Sequence, residues 1–334
     1  MKTTLEIYGQ YLLNTHINYT CTNLADHVEE LSHDSVHRFL KDSKLSPRMV
    51  WDRVKDQIVF SQSGCIIFDD TVLEKVFSFK IEAVRRQYSG NKHGIINGIG
   101  VVNCVYFNPE TGQYWVLDFR VFDPDTDGKS KLDHVSDMLQ LVHERAVLYR
   151  YALMDSWYAT TDLMKFFIEK ERIFYCPVKK NRKVDETGGA MPYVQVCQLD
   201  WSEKDLAEGK TVKLHGFPMD SKVKLFRVAV SSDRTEHLVT NDCTQSSTAA
   251  ARLESAQRWK IEQFHREEKQ LTGIAKCQCR KNRSQRNHIC AAVLVWVRLN
   301  ELKHHAKMTV YQIKQQLLDD YLFLQMAKPS IAFK

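Results

Sequence analysis

Apolar residues in the first 55 positions recur at helical intervals, and the stretch "TNLADHVEELSHDSVHRFLKD" reads as two short helices around a turn. Leu24, Ala25 and Val28 face inward from the first, and Val36, Phe39 and Leu40 from the second, which leaves His33, Ser35, His37 and Arg38 outward. This is helix-turn-helix spacing, and equally the spacing of an ordinary helical pair. From about residue 60 the period changes. "GCIIFDD", "GIGVVNCVYFN" and "QYWVLDFRVFD" read as three β-strands, the last two joined by the hairpin turn "PETG". A helix over residues 131–148 follows, then a strand "YALMD", a helix through "DLMKFFIEKE" and a fifth strand "IFYCPVKK". Three sequential strands followed by strands alternating with helices predict an α/β fold, a mixed sheet flanked by helices. Farther on, "PYVQVCQLDW", "KTVKLHGF", "KVKLFRVAV" and "TEHLVTND" read as short alternating strands, and "SAQRWKIEQFHREEK" as a helix.

Composition narrows the class without naming it. With 334 residues, 43% hydrophobic, and only 13 Gly and 7 Pro, the chain has material for a real core and is not a disordered one. A formal charge of +6 is compatible with a nucleic-acid partner and with many ordinary enzymes. The nine cysteines show no regular pairing. Cys277-Gln-Cys279, followed by Cys290, comes nearest to a metal motif but lacks a second half, so reduced thiols are expected. "MKTTLEIYGQYLL" carries no apolar signal core and "ICAAVLVWVRL" is too short to span a bilayer, so the expectation is a cytoplasmic protein without a membrane partner.

Charge where a buried strand ends is the first chemical signal. Asp69 and Asp70 close "CIIFDD", and Asp155 closes "YALMD". Aspartate is a common turn residue, but it is also a metal ligand. The order of strands and helices matches an RNase H-like core, in which the first and fourth strands lie side by side; Asp69 and Asp155 would then share divalent cations. A third acid is expected on the helix over residues 255–269, where Arg258, Glu262 and Lys269 project within roughly 40° of one another. An ordinary Arg–Glu surface pair accounts for two of the three. Glu267 and Glu268 fall on other faces. "DPDTDG" opens like a calcium loop, but its twelfth position is His134 and a strand precedes it. "KCQCRKNRSQRNH" gathers Lys276, Arg280, Lys281, Arg283 and Arg286 with no acid among them, which suits a solvated helix entry or a DNA backbone.

Asp69 in "IIFDDT", Asp155 in "MDSWY" and "RWKIEQFHREEK" together resemble the catalytic signature of bacterial insertion-sequence transposases of the DDE superfamily. The closest branch has a tyrosine–arginine–glutamate–lysine signature around the last acid. The resemblance runs over residues 15–310 and departs at one position, where the tyrosine is replaced by Ser255. It implies an RNase H-like catalytic core over 59–179 and 246–334, a helical DNA-binding region over 1–58, and a β-rich insertion over 180–245. In relatives an insertion aromatic takes up a flipped base; Trp201, Phe217 and Phe226 are available, each with a core role as the alternative. Two Mg²⁺ or Mn²⁺ ions are implied, with Asp69 bridging, Asp155 on one ion and Glu262 on the other. Arg258 and Lys269 would contact DNA phosphate, as would Lys276, Arg280, Lys281, Arg283, Arg286 and Arg38. The implied partners are double-stranded DNA, as terminal inverted repeats and target, and a second copy of the chain in a synaptic complex. The implied location is the bacterial nucleoid. Loss of the tyrosine makes hairpin formation less secure than cleavage. A structure-directed nuclease or resolvase on the same core, and an inactive DNA-binding descendant, are the alternatives.

Overall fold

Four short helices lead the chain: α1 (Leu5–Asn14), α2 (Cys21–Asp26), α3 (His33–Asp42) and α4 (Pro47–Val54). They begin where the sequence supplies caps. The Thr20 and Ser32 hydroxyls accept from the amides of Asn23 and Ser35 at 3.0 and 3.2 Å, and Pro47 opens α4. The computed structural model describes residues 1–334 apart from 17, 77, 79, 219, 231–233 and 332–334.

The sheet begins with β1 (Cys65–Glu74), β2 (Arg85–Ser89), β3 (Gly94–Asn108) and β4 (Gln113–Phe122). After α5 (Pro124–Asp127) and α6 (Lys131–Glu144) come β5 (Tyr151–Met154), α7 (Thr161–Glu169) and β6 (Ile173–Val178). β1 pairs antiparallel with β3 and parallel with β5, β3 pairs with β4, and β5 pairs parallel with β6. The order β4-β3-β1-β5-β6 is the RNase H-like mixed sheet, with helices packed on it. Residues 180–245 supply β7 (Lys183–Asp185), β8 (Val194–Gln195), α8 (Glu203–Glu208), β9 (Lys210–Leu214), β10 (Val223–Ala229) and β11 (Thr235–Thr240). They extend the same sheet, because β11 pairs antiparallel with β6 along His237–Thr240.

The chain ends in α9 (Thr248–Ala256), α10 (Trp259–Leu271), α11 (Asn282–Ala306) and α12 (Val310–Ala327). α11 is apolar on most of its circumference, with Ile289, Val293, Trp296 and Leu299 buried, and it is covered accordingly by α1, α3, α4, α10, α12 and β4. Among the described residues no helix is long and apolar enough to cross a membrane.

Four local features differ from expectation. β1 does not stop at Asp70 but runs to Glu74, because β3 is long enough to pair with it throughout. β2, a polar strand, was not foreseen. The helix expected over 255–269 is two helices, broken at Gln257–Arg258, so Ser255 lies in the last turn of α9 while Glu262 sits on α10. Ser35 is buried, because its hydroxyl accepts the Thr3 amide at 3.0 Å.

Candidate active site

The register of β1 against β5 sets the first two acids at neighbouring strand positions, while the Asp155 carboxylate stands outside the cluster that Asp69 forms with α10. Phe68 pairs with Met154, the last pairing between these parallel strands, so Asp69 and Asp155 each stand one residue beyond it on neighbouring strands. Strands in a sheet lie about 4.8 Å apart. Successive side chains of β1 alternate faces, so Asp69 and Asp70 separate. Asp69 takes the face covered by α10, where its carboxylate, the Glu262 carboxylate and a ring nitrogen of His265 lie within 4.8 Å of one another. Asp70 takes the other face, held by the Tyr158 hydroxyl at 2.7 Å and by Lys131 of α6 at 2.5 Å.

Burial, reinforced by the charges of Asp70 and Glu262, pushes the Asp69 carboxyl well above the usual range; Arg258 opposes this and Asp155 adds to it. A hard divalent cation relieves such crowding. The donor set, carboxylate oxygens with one imidazole, suits Mg²⁺ or Mn²⁺, so the residues fit the metal-binding role the sequence suggests. Asp69 also accepts from the Asp70 amide at 2.8 Å, which fixes one of its oxygens.

Arg258, just before α10, is 3.4 Å from Glu262. Lys269 is half-buried; burial lowers its pKa, while Glu268, Glu262, Asp70 and Glu74 pull it back up. Glu267 is structural: it accepts from the Tyr114 hydroxyl at 2.8 Å and the Trp296 indole at 3.0 Å. Glu268 is fully buried with neither oxygen partnered among the described residues, and burial pushes its pKa up to about 8.

His265 escaped the sequence reading. It is buried, its Nε2 lies 3.0 Å from Asn103 Nδ2, and burial together with Lys269 pushes its pKa down to about 3, so the ring is neutral beside the acids. Its position three residues after Glu262, on the same side of the helix, was the available signal. Two exposed aromatics were also missed. Trp157 follows Asp155 closely and lines a groove with Lys179, Arg182 and Lys183; Trp259 lines another with Ser255 and Arg258. Of the insertion aromatics, Phe217 and Phe226 are buried in the core, and Trp201 is half-buried against His237.

The basic run is divided by its partners. Lys281 is 2.7 Å from Glu82, and Arg286 is 3.4 Å from Asp123. Lys276, Arg280 and Arg283 are exposed and, among the described residues, have no carboxylate at ion-pair distance. His37, Arg38 and Lys41 of α3 face Gln278–Ser284 across a groove of about 510 Å³, so Arg38 and Arg280 share one surface. The "DPDTDG" acids are engaged elsewhere, Asp123 and Asp125 with Arg85 and Asp127 with His134.

Comparison with known proteins bears on this arrangement. No curated protein matches the sequence. Among solved structures, the NurA nuclease from Sulfolobus solfataricus aligns with 66% of this chain and 80% of its own, at 12% identity and a TM-score of 0.28, too slight a likeness to argue from. The family described as "Transposase DDE domain" matches residues 61–298. That span exceeds half of the chain and takes in β1, β5 and α10 together with Asp69, Asp155 and Glu262, so the chain belongs to the DDE transposases.

Proposed function

We propose that this protein is the transposase of an insertion sequence, which binds the terminal inverted repeats of its element, cuts the DNA strand there and joins the freed end to target DNA. The observation that carries this is the β1–β5 register, which sets Asp69 beside Asp155 while α10 brings Glu262 to Asp69. Asp69, Asp155 and Glu262 would hold two Mg²⁺ or Mn²⁺ ions. Bound there, such ions supply an activated water, neutralise charge on the phosphoryl group and stabilise the leaving oxygen. Arg258, at the start of α10, and Lys269, in its last turn, would present positive charge to the phosphate. Lys131 and Tyr158 hold Asp70 and with it the strand that carries Asp69. Hydrolysis breaks the P–O3′ bond and returns a proton to O3′. That hydroxyl then attacks a target phosphodiester, exchanging one P–O bond for another without a covalent protein intermediate. Residues 1–58, with Arg38 outward, and the run from Lys276 to Arg286 would track the duplex, and two copies would pair the two ends. Ser255 keeps a hydroxyl one turn before Arg258 but lacks an aromatic ring, which favours nicking over hairpin formation.

The test is strand nicking of a terminal-repeat duplex in Mg²⁺. Asp69→Asn, Asp155→Asn and Glu262→Gln are each expected to lower nicking by about 100-fold or more with folding and DNA binding retained. Near wild-type nicking by any one would remove that residue from the site. Preference for branched over element-end DNA would assign the chain to structure-directed cleavage instead.

A further inference from the structure

A second cluster of metal-ligand residues lies away from the acids, between the N-terminal helices and the loop that enters α11. Cys21 opens α2, His37 is exposed on α3, and Cys279 lies in the loop between α10 and α11. These residues are separated by up to 258 positions in the chain, yet the two sulfurs and a ring nitrogen of His37 all lie within 4.8 Å of one another. The Cys279 sulfur is 3.8 Å from His37 Nδ1. A tetrahedral zinc ion with Zn–S near 2.3 Å and Zn–N near 2.0–2.1 Å has ligand-to-ligand edges of about 3.6–3.8 Å. Cys277 lies two residues before Cys279 with its thiol beside that of Cys279, and is the remaining donor in reach, although it stands outside the three-residue group.

We propose that Cys21, His37, Cys277 and Cys279 form a structural zinc site that ties the N-terminal helices to the basic loop. Three thiolates and one imidazole are the donors that select zinc over the hard cations of the acidic site. Cys277-Gln-Cys279 is therefore half of a metal motif whose other half lies near the start of the chain. The next cysteine in sequence, Cys290, does not belong to it, because its sulfur donates to the Ser46 carbonyl at 3.4 Å.

The loop is built to hold this geometry. Lys75 Nζ donates to the carbonyls of Ala275 and Cys277 at 2.7 and 2.5 Å, and Gln285 Nε2 donates to those of Cys277 and Cys279 at 3.1 and 2.6 Å. Such outer hydrogen bonds orient ligands before the ion arrives. His37 and Cys279 also line the groove that carries Arg38, Lys41 and Arg280, so one ion fixes both walls of that basic surface. Binding releases the thiol protons and stabilises the folded chain by linkage.

The test uses the full chain purified without chelator. Its zinc content is measured by mass spectrometry, and the protein reloaded with Co²⁺ alone is examined by absorption. About one zinc per chain, with thiolate-to-cobalt charge transfer and tetrahedral d–d bands, is expected. Cys21→Ser and Cys279→Ser should each weaken zinc binding by about 100-fold or more, whereas Cys290→Ser and Asp69→Asn should leave it unchanged. A wild-type chain that holds no zinc and gives a featureless cobalt spectrum overturns the proposal whether or not the variants fold. Zinc retained equally by Cys21→Ser and Cys279→Ser, or a Cys21–Cys279 disulfide in the non-reduced protein, overturns it as well.

Discussion

Glu268 shows how one residue's surroundings set a pH dependence. Its carboxyl is fully buried, its two oxygens have no partner among the described residues, and its pKa rises from the ordinary 4.5 to about 8. Between those values the folded chain binds a proton that the unfolded chain does not, so this residue makes stability fall as pH rises from about 4.5 to about 8. Below 4.5 both forms are protonated and the effect vanishes. Glu268→Gln keeps the shape and removes the ionisation. Its melting temperature at pH 8.5 should therefore exceed that of the wild type by about 2–4 °C, with little difference at pH 4.5. Equal melting temperatures at both pH values would show that the carboxyl finds a partner. His265 has the opposite dependence. Its depressed pKa makes it a source of instability as pH falls from 6.5 toward about 3.

At the scale of elements, the residues "QRNH" at the start of α11 act as a clasp. Gln285 holds the cysteine loop; His288 bridges the Tyr8 hydroxyl at 2.8 Å and the Gly273 carbonyl at 3.1 Å. Asn287 accepts the Leu45 amide at 3.0 Å and donates to the Leu40 and Ser43 carbonyls, both at 2.7 Å, closing the end of α3. Asn287→Ala leaves these buried groups unpaired and should cost about 2–4 kcal/mol in urea unfolding. A loss under about 0.5 kcal/mol would mean water replaces the side chain. The five core strands were legible because long apolar runs such as "CIIF" and "VVNCVYF" stand between turn residues, and two of the site's carboxylates because they end or interrupt such runs. β2, "RRQYS", was not, since a polar strand leaves no alternation to read. The break before α10 was hidden because apolar spacing continues across Gln257. The grip of Asn287 and His288 on the N-terminal helices, and the convergence of Cys21 and His37 on Cys279, depend on contacts over more than 200 residues, which no local pattern records.

For the molecule as a whole, DNA affinity should depend on which cations remain unpaired. Arg38, Arg280 and Arg283 are exposed without a carboxylate partner among the described residues, whereas Lys281 and Arg286 are tied to Glu82 and Asp123. Each phosphate contact contributes about 0.9 to the slope of log affinity against log salt. Replacing all three free arginines by alanine should therefore reduce the slope by about 2–3, and replacing Lys281 and Arg286 by clearly less per residue, as read by fluorescence anisotropy over a salt series. Equal reductions per residue would show that the ion pairs open on DNA. The docking of α1 on α11 and α12 bears on how the chain is made. Tyr8 meets His288, 280 residues later, and Lys314 donates to the Leu12 carbonyl at 3.0 Å. At about 5–20 residues per second, a ribosome finishes α1 roughly 15–55 s before it supplies these partners. Through that interval the face of α1 that packs on α11 and α12 has no partner, and it is open to chaperones until those helices leave the exit tunnel.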